Sequence, residues 1–153
     1  LEWIMAHPAA MIGFSDAGAH LRNMAFYNFP LRMLKRVRDA ELQGRPFMTV
    51  QAAVRKLTAD IAEFHRIDAG HLAPGRRADL VVIDPERLDD SVEEVHEESM
   101  VGFPGLRRLV RRNDDTVRAV MVNGRVAWSG GRSSDDLGVS HGYGSLLPLG
   151  SAA

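Results

Sequence analysis

The sequence contains no cysteine, which excludes a disulfide scaffold, a thiolate nucleophile and any cysteine-based zinc site within it. That absence fits a reducing compartment, so a cytoplasmic location is expected. An excess of charge of one sign is also missing. The 19 Lys and Arg residues stand against 20 Asp and Glu, a net charge of −1, and no global field draws nucleic acid or an anionic membrane. No apolar run reaches the ~18–20 residues that a membrane span needs. The opening Leu1-Glu2-Trp3-Ile4-Met5 has no initiator Met and no basic stretch ahead of an apolar one, so it does not read as a signal peptide. A chain that starts in mid-pattern is expected to be a fragment, with the missing N-terminal part of the same protein as its partner. What is present is the composition of an ordinary globular protein, 45% hydrophobic and 25% charged, and 153 residues suffice for one domain or parts of two.

Along the chain, Ala9-Ala10-Met11-Ile12-Gly13-Phe14 is a short apolar run that breaks into Ser15-Asp16-Ala17-Gly18-Ala19-His20. Such a run, bounded by turn residues, reads as a buried strand of a parallel sheet with the polar cluster at its C-terminal end. From Pro30 to Glu41, Leu31, Leu34, Val37 and Ala40 recur at helical spacing, and Gly44-Arg45-Pro46 stops that helix. Thr49 suits the N-cap of a second helix, on which Val50, Ala53, Val54, Leu57, Ile61 and Phe64 form one apolar stripe. After Gly70 the character changes. Ala78–Pro85 reads as a strand, and residues 86–98, with seven acidic side chains, read as a solvated loop or helix face. Val117–Val122 and Arg125–Trp128 flank Asn123-Gly124, the strongest short hairpin signal, because a type I′ turn needs positive φ twice. The expected division is residues 1–68 as strand and helices, 69–130 as a small β unit, and 131–153 as a Gly- and Ser-rich tail that is poorly ordered.

Chemistry is expected at Asp16. A carboxylate at the end of a buried strand stands where α/β scaffolds gather their active-site groups, and Ala17, Gly18 and Ala19 leave room for a metal, a water or a substrate. The competing reading is a helix N-cap, for which Ser and Asp after a strand are equally suited. His20 and Arg22 follow closely and can face the same pocket. Arg22 can hold a carboxylate bidentately, although a solvated arginine, like a histidine on the surface or in the core, is the commoner outcome. The segment Gly13–Gly18 departs from the G-x-S-x-G nucleophile elbow because its second glycine comes one residue late. Arg107, Arg108, Arg111 and Arg112 form a basic cluster at helical spacing. Without interleaved aromatics it reads as a solvated face or an ion-pair partner for residues 86–98. His7, His65, His71, His96 and His141 show no H-x-H or H-E-x-x-H spacing.

Three passages together resemble the C-terminal third of the amidohydrolase superfamily: Ile12–His20; Gly70–Gly75 followed by Ala78–Asp84; and Val120–Val126. The form Ser-Asp-Ala-Gly-Ala-His and the helix containing Arg55-Lys56-Leu57-Thr58 are similar to the D-aminoacylase branch, the N-acyl-D-amino-acid deacylases. The resemblance implies an α/β chain in which residues 1–68 are the C-terminal end of a (β/α)8 barrel (its last strand and following helices), and residues 69–130 are a small β-sandwich portion. It implies one or two divalent ions, usually zinc, held by an H-x-H pair, a bridging Cys, Glu or carboxylated Lys, and two later histidines. None of these ligands occurs in this sequence, so no ion is expected to bind this segment tightly. Only the last-strand aspartate carries over, onto Asp16, as general base and acid and as a candidate metal ligand. The implied reaction is hydrolysis of a linear amide, an N-acyl-D-amino acid giving a carboxylate and a D-amino acid. Metal-activated water attacks, and Asp16 takes its proton and passes it to the leaving amine. His20 and Arg22 are the candidate substrate-binding residues, and the segment alone is expected to be inactive. Two other readings stand beside this one: a different branch of the superfamily (a cyclic amidase or a deaminase), and a non-catalytic module whose open edges and apolar faces favour a homo-oligomer.

Overall fold

The computed structural model describes residues 1–13, 25–100 and 103–150. The chain forms two compact units that interleave along the sequence: Leu1–Ala53 with Glu86–Asn113, and Val54–Pro85 with Asp114–Ala153.

The first unit opens with the short helix α1 (Glu2–Ala6) and is built around α2 (Phe29–Leu42). The apolar spacing read from the sequence is the reason α2 forms. Leu31, Met33, Leu34, Val37 and Ala40 are buried on one side, and Pro30 sits in the first turn, where a missing amide hydrogen costs little. Asn28, at the N-cap position, does not cap the helix. Its amide nitrogen instead donates to the Val92 carbonyl at 2.7 Å and to Asn113 Oδ1 at 3.2 Å, which ties the start of α2 to the returning segment. That segment carries two 3-10 turns, Pro85–Arg87 and Asp90–Glu93, and then the antiparallel pair β2 (His96–Ser99) and β3 (Arg107–Val110). Leu88, Val92 and Val110 join the buried set of this unit.

The second unit contains the four-stranded antiparallel sheet β1 (Leu80–Ile83), β4 (Val117–Val122), β5 (Arg125–Ser129) and β6 (Arg132–Ser133), in the order β1-β4-β5-β6. Asn123 and Gly124 take φ of +52° and +77°, and Val122 pairs with Arg125 across the turn, as the hairpin signal requires. Ala127 and Thr116 are the buried residues of this sheet region.

The apolar stripe 50–64 forms two helices rather than one, α3 (Val50–Leu57) and α4 (Ala59–His65). Thr49 caps α3 as expected, its Oγ1 accepting from the Ala52 amide at 3.1 Å. Thr58 makes the break. Its backbone leaves helical geometry (φ −131°, ψ −85°), and its hydroxyl donates back to the Val54 carbonyl at 2.8 Å, a bond that bends helices. Gly70 lies against this break, with a φ of +77°. Arg55 spans it, reaching Asp60 at 2.8 Å and Glu63 at 2.9 Å.

Two further expectations differ from the structure. The run Ala9–Phe14 is not a strand over its described part: residues 10–13 are irregular and Met11 is 43% exposed. A parallel strand takes its hydrogen bonds from neighbours on its edges, and every strand pair among the described residues is antiparallel. The basic cluster 107–112 lies on and just after β3 rather than on a helix, because the acidic residues that neutralise it pair as a strand alongside.

Candidate functional site

All three residues expected to form the site, Asp16, His20 and Arg22, lie outside the described residues, as does the rest of the segment 14–24. On one side the described chain is the irregular stretch ending at Gly13, and on the other the 3-10 turn Ala25–Asn28 that leads into α2.

Three charged constellations among the described residues bear on a site. The first is an open cavity of about 310 Å3 beside α2 in the first unit, lined by residues that include Arg32, Lys35, Arg36, Asp39, Arg45 and Glu93. Two of its cations, Arg32 and Lys35, are neutralised by neighbours. Arg32 pairs with Glu93 at 2.8 Å, and Lys35 lies between Asp39 at 2.6 Å and Asp90 at 2.9 Å. The hydrogen bonds to Asp39 and Asp90 hold the Lys35 ammonium above its ordinary pKa, so it stays charged and cannot serve as a neutral base.

The second constellation joins the acidic and basic stretches. Arg107 reaches Glu97 at 3.3 Å, Arg111 reaches Glu93 at 3.6 Å, and Arg112 holds Glu98 in a fork with Nε to Oε1 at 2.7 Å. The Arg112 bond keeps the Glu98 carboxyl below the usual carboxylate range. Burial lowers the Arg111 pKa, as does nearby Arg32, while Glu93 opposes them. The Arg107 and Arg112 pairs are largely exposed, and solvent and salt screen such pairs so that they add little stability. They match the ion-pair reading of the sequence and supply no reacting group.

The third constellation was not legible from sequence patterns. Asp136 accepts from Ser134 Oγ at 2.6 Å, Tyr143 Oη at 2.6 Å and Ser140 Oγ at 3.1 Å, and it also pairs with Arg125. The Arg125 guanidinium lies 4.4 Å from the centre of the Tyr143 ring. Hydrogen bonds from Ser134 and Tyr143 push the Asp136 carboxyl far below the usual range. Such a carboxylate is a fixed anion rather than a proton carrier.

No group of three or more His, Cys, Asp or Glu side chains among the described residues could hold a metal ion. His7 is engaged locally, accepting from the Ala9 amide and lying 5.0 Å from the Trp3 ring. His71 stands 3.9 Å from Glu63, and His96 stands 3.8 Å from Glu94. No helix among the described residues is long and apolar enough to cross a membrane.

Comparison with known proteins places the chain more firmly. Residues 1–128 match the Amidohydrolase family, and the chain belongs to that family. An uncharacterized protein of Mycobacterium bovis and one of Mycobacterium tuberculosis are each 54% identical to it over 132 residues. The match covers 86% of this chain and 22% of each relative, so the chain spans less than a quarter of the length of the curated relatives it matches. No solved structure matches it.

Proposed function

We propose that this chain is the C-terminal part of a metal-dependent hydrolase of linear amide C–N bonds, of the D-aminoacylase branch, whose substrate is an N-acyl-D-amino acid. The observation that carries the reading is the passage Ile12–His20 within a stretch matched to the Amidohydrolase family. It combines an apolar run, a single carboxylate at its end and small residues beyond.

The chemistry assigned to this chain is a proton transfer at Asp16. Its carboxylate accepts a proton from the water that attacks the amide carbon, and returns it to the nitrogen as the C–N bond breaks. An amine anion is a poor leaving group, so protonation at nitrogen is what lets the intermediate collapse toward product. Arg22 and His20 are assigned to the free carboxylate and acyl oxygen of the substrate. The fork of a guanidinium matches a carboxylate with two parallel hydrogen bonds. Zinc, one ion or two, belongs to the proposal with its ligands on segments outside this sequence. A cytoplasmic location and self-association belong to it as well.

The test is hydrolysis of N-acyl-D-amino acids by the protein expressed at the length of its relatives, with and without zinc, beside Asp16→Ala. Zinc-dependent turnover that Asp16→Ala abolishes is the expected result. A folded, zinc-loaded protein that hydrolyses a cyclic amide or deaminates a substrate instead places the chain in another branch. Inactivity toward every C–N substrate favours a non-catalytic module. Arg22→Ala is expected to raise KM with little change in kcat, the signature of binding lost equally from ground and transition states.

A further inference from the structure

The hairpin turn Asn123-Gly124 places the residue most prone to spontaneous deamidation before the residue that least hinders the attack, on an exposed loop tip. In that reaction the Gly124 backbone nitrogen, having lost its proton to solvent base, attacks Asn123 Cγ. A new N–Cγ bond forms, the bond from Cγ to the side-chain nitrogen breaks, and that nitrogen leaves as ammonia with a proton from water. Water then opens the cyclic imide to aspartate or to isoaspartate, whose backbone runs through the side-chain carbon. The reaction needs no enzyme and no oxidant, only a free amide nitrogen and a backbone able to bring it to Cγ.

Neither condition is met while the turn is closed. The Gly124 amide donates to the Ala78 carbonyl at 2.9 Å, which disfavours loss of its proton. The Asn123 backbone N–H donates to Asp79 Oδ1 at 2.6 Å, a short bond to a charged acceptor and therefore among the stronger kind. Both residues are held at positive φ. All four groups belong to the second unit, and the acceptors precede β1, the strand that borders β4. We propose that Asn123 is a latent deamidation site, guarded by Ala78 and Asp79, which reacts only when this end of the sheet opens. Once it reacts, the product cannot close again as before. An aspartate at 123 adds a negative charge to the residue whose backbone amide the Asp79 carboxylate holds, and an isoaspartate adds a methylene to the main chain inside a two-residue turn. The site thus turns transient opening into a permanent covalent mark.

Mass spectrometry of the full-length protein at mildly alkaline pH tests this, following loss of ammonia and gain of water in the peptide that contains Asn123. In the folded protein the reaction is expected to run roughly tenfold or more slower than in the same protein unfolded in urea, since only the open fraction reacts. Asp79→Ala removes one charge-assisted hydrogen bond and is expected to speed it roughly tenfold. Equal rates in folded and unfolded protein, or a folded Asp79→Ala variant that deamidates no faster, overturn the proposal. Should that variant fail to fold, the wild-type protein alone decides. The slowing of deamidation and the hydrogen-exchange protection of the Gly124 amide agree if the same opening controls both, and a protected amide beside rapid deamidation overturns the inference.

Discussion

Asp136 shows how one side chain can gather polar partners from several turns of the chain. Its carboxylate collects hydrogen bonds from Ser134, Ser140 and Tyr143 and an ion pair with Arg125, so it anchors the chain after β6 to β5. The bonded carboxylate has a pKa far below the usual range. Its stabilising effect is therefore complete above the ordinary carboxylate pKa of roughly 3.9 and fades as pH falls toward the depressed folded value. Asp136→Asn is expected to lower the thermal midpoint by a constant amount above about pH 5, and the gap to wild type is expected to close in acid below about pH 4. A gap that stays constant into acid would sink this account. The network escapes a reading of the sequence because Arg125, Asp136 and Tyr143 share no period or motif. Only the turn of the chain brings them together. Asp16 is the opposite case, a candidate named from sequence whose surroundings lie outside the described residues.

The elements followed their apolar patterns wherever one layer of packing decided the outcome. The helix expected over 30–41 forms as Phe29–Leu42, and the hairpin around Asn123-Gly124 forms with both positive φ values. The split of α3 from α4 did not follow the pattern, since the stripe 50–64 runs without interruption. A Cβ on Gly70 would lie 2.8 Å from the Thr58 carbonyl carbon and oxygen, so the break depends on a close approach of backbone that no local signal announces. Gly70→Ala is therefore expected to destabilise the protein by about 2–3 kcal/mol, through both the positive φ and the clash. Gly75→Ala has a φ of +79° but open space around it, and is expected to cost only about 1 kcal/mol. Urea unfolding of the two variants side by side checks the difference, and equal losses would remove the packing role given to Gly70. Within α2, Met33 and Val37 are each 1% exposed. Met33→Ala is expected to cost about 2–5 kcal/mol by the same measurement.

At the scale of the whole molecule, large apolar side chains remain uncovered in each unit. Trp3 and Leu42 in the first are 74% and 71% exposed, and Phe64 and Leu72 in the second are 68% and 86% exposed. Apolar surface left in water favours association, so these 153 residues alone are expected to sediment above the monomer at micromolar concentration. A monomer under those conditions would show that these residues do not form a cohesive patch. The sequence by itself determined the family, the helix α2, the capping of α3 by Thr49 and the hairpin, and it offered the pairing of the acidic stretch with the arginines as one of two readings. Each of these depends on neighbours in sequence, on a repeat of 2 or 3.6 residues, or on complementary charge. Only the tertiary structure decided the break at Thr58, the strand rather than helix at Arg107–Val110, and the Asp136 network. In each of these, atoms far apart in sequence approach one another, and the geometry of that approach is fixed by packing rather than by any local preference.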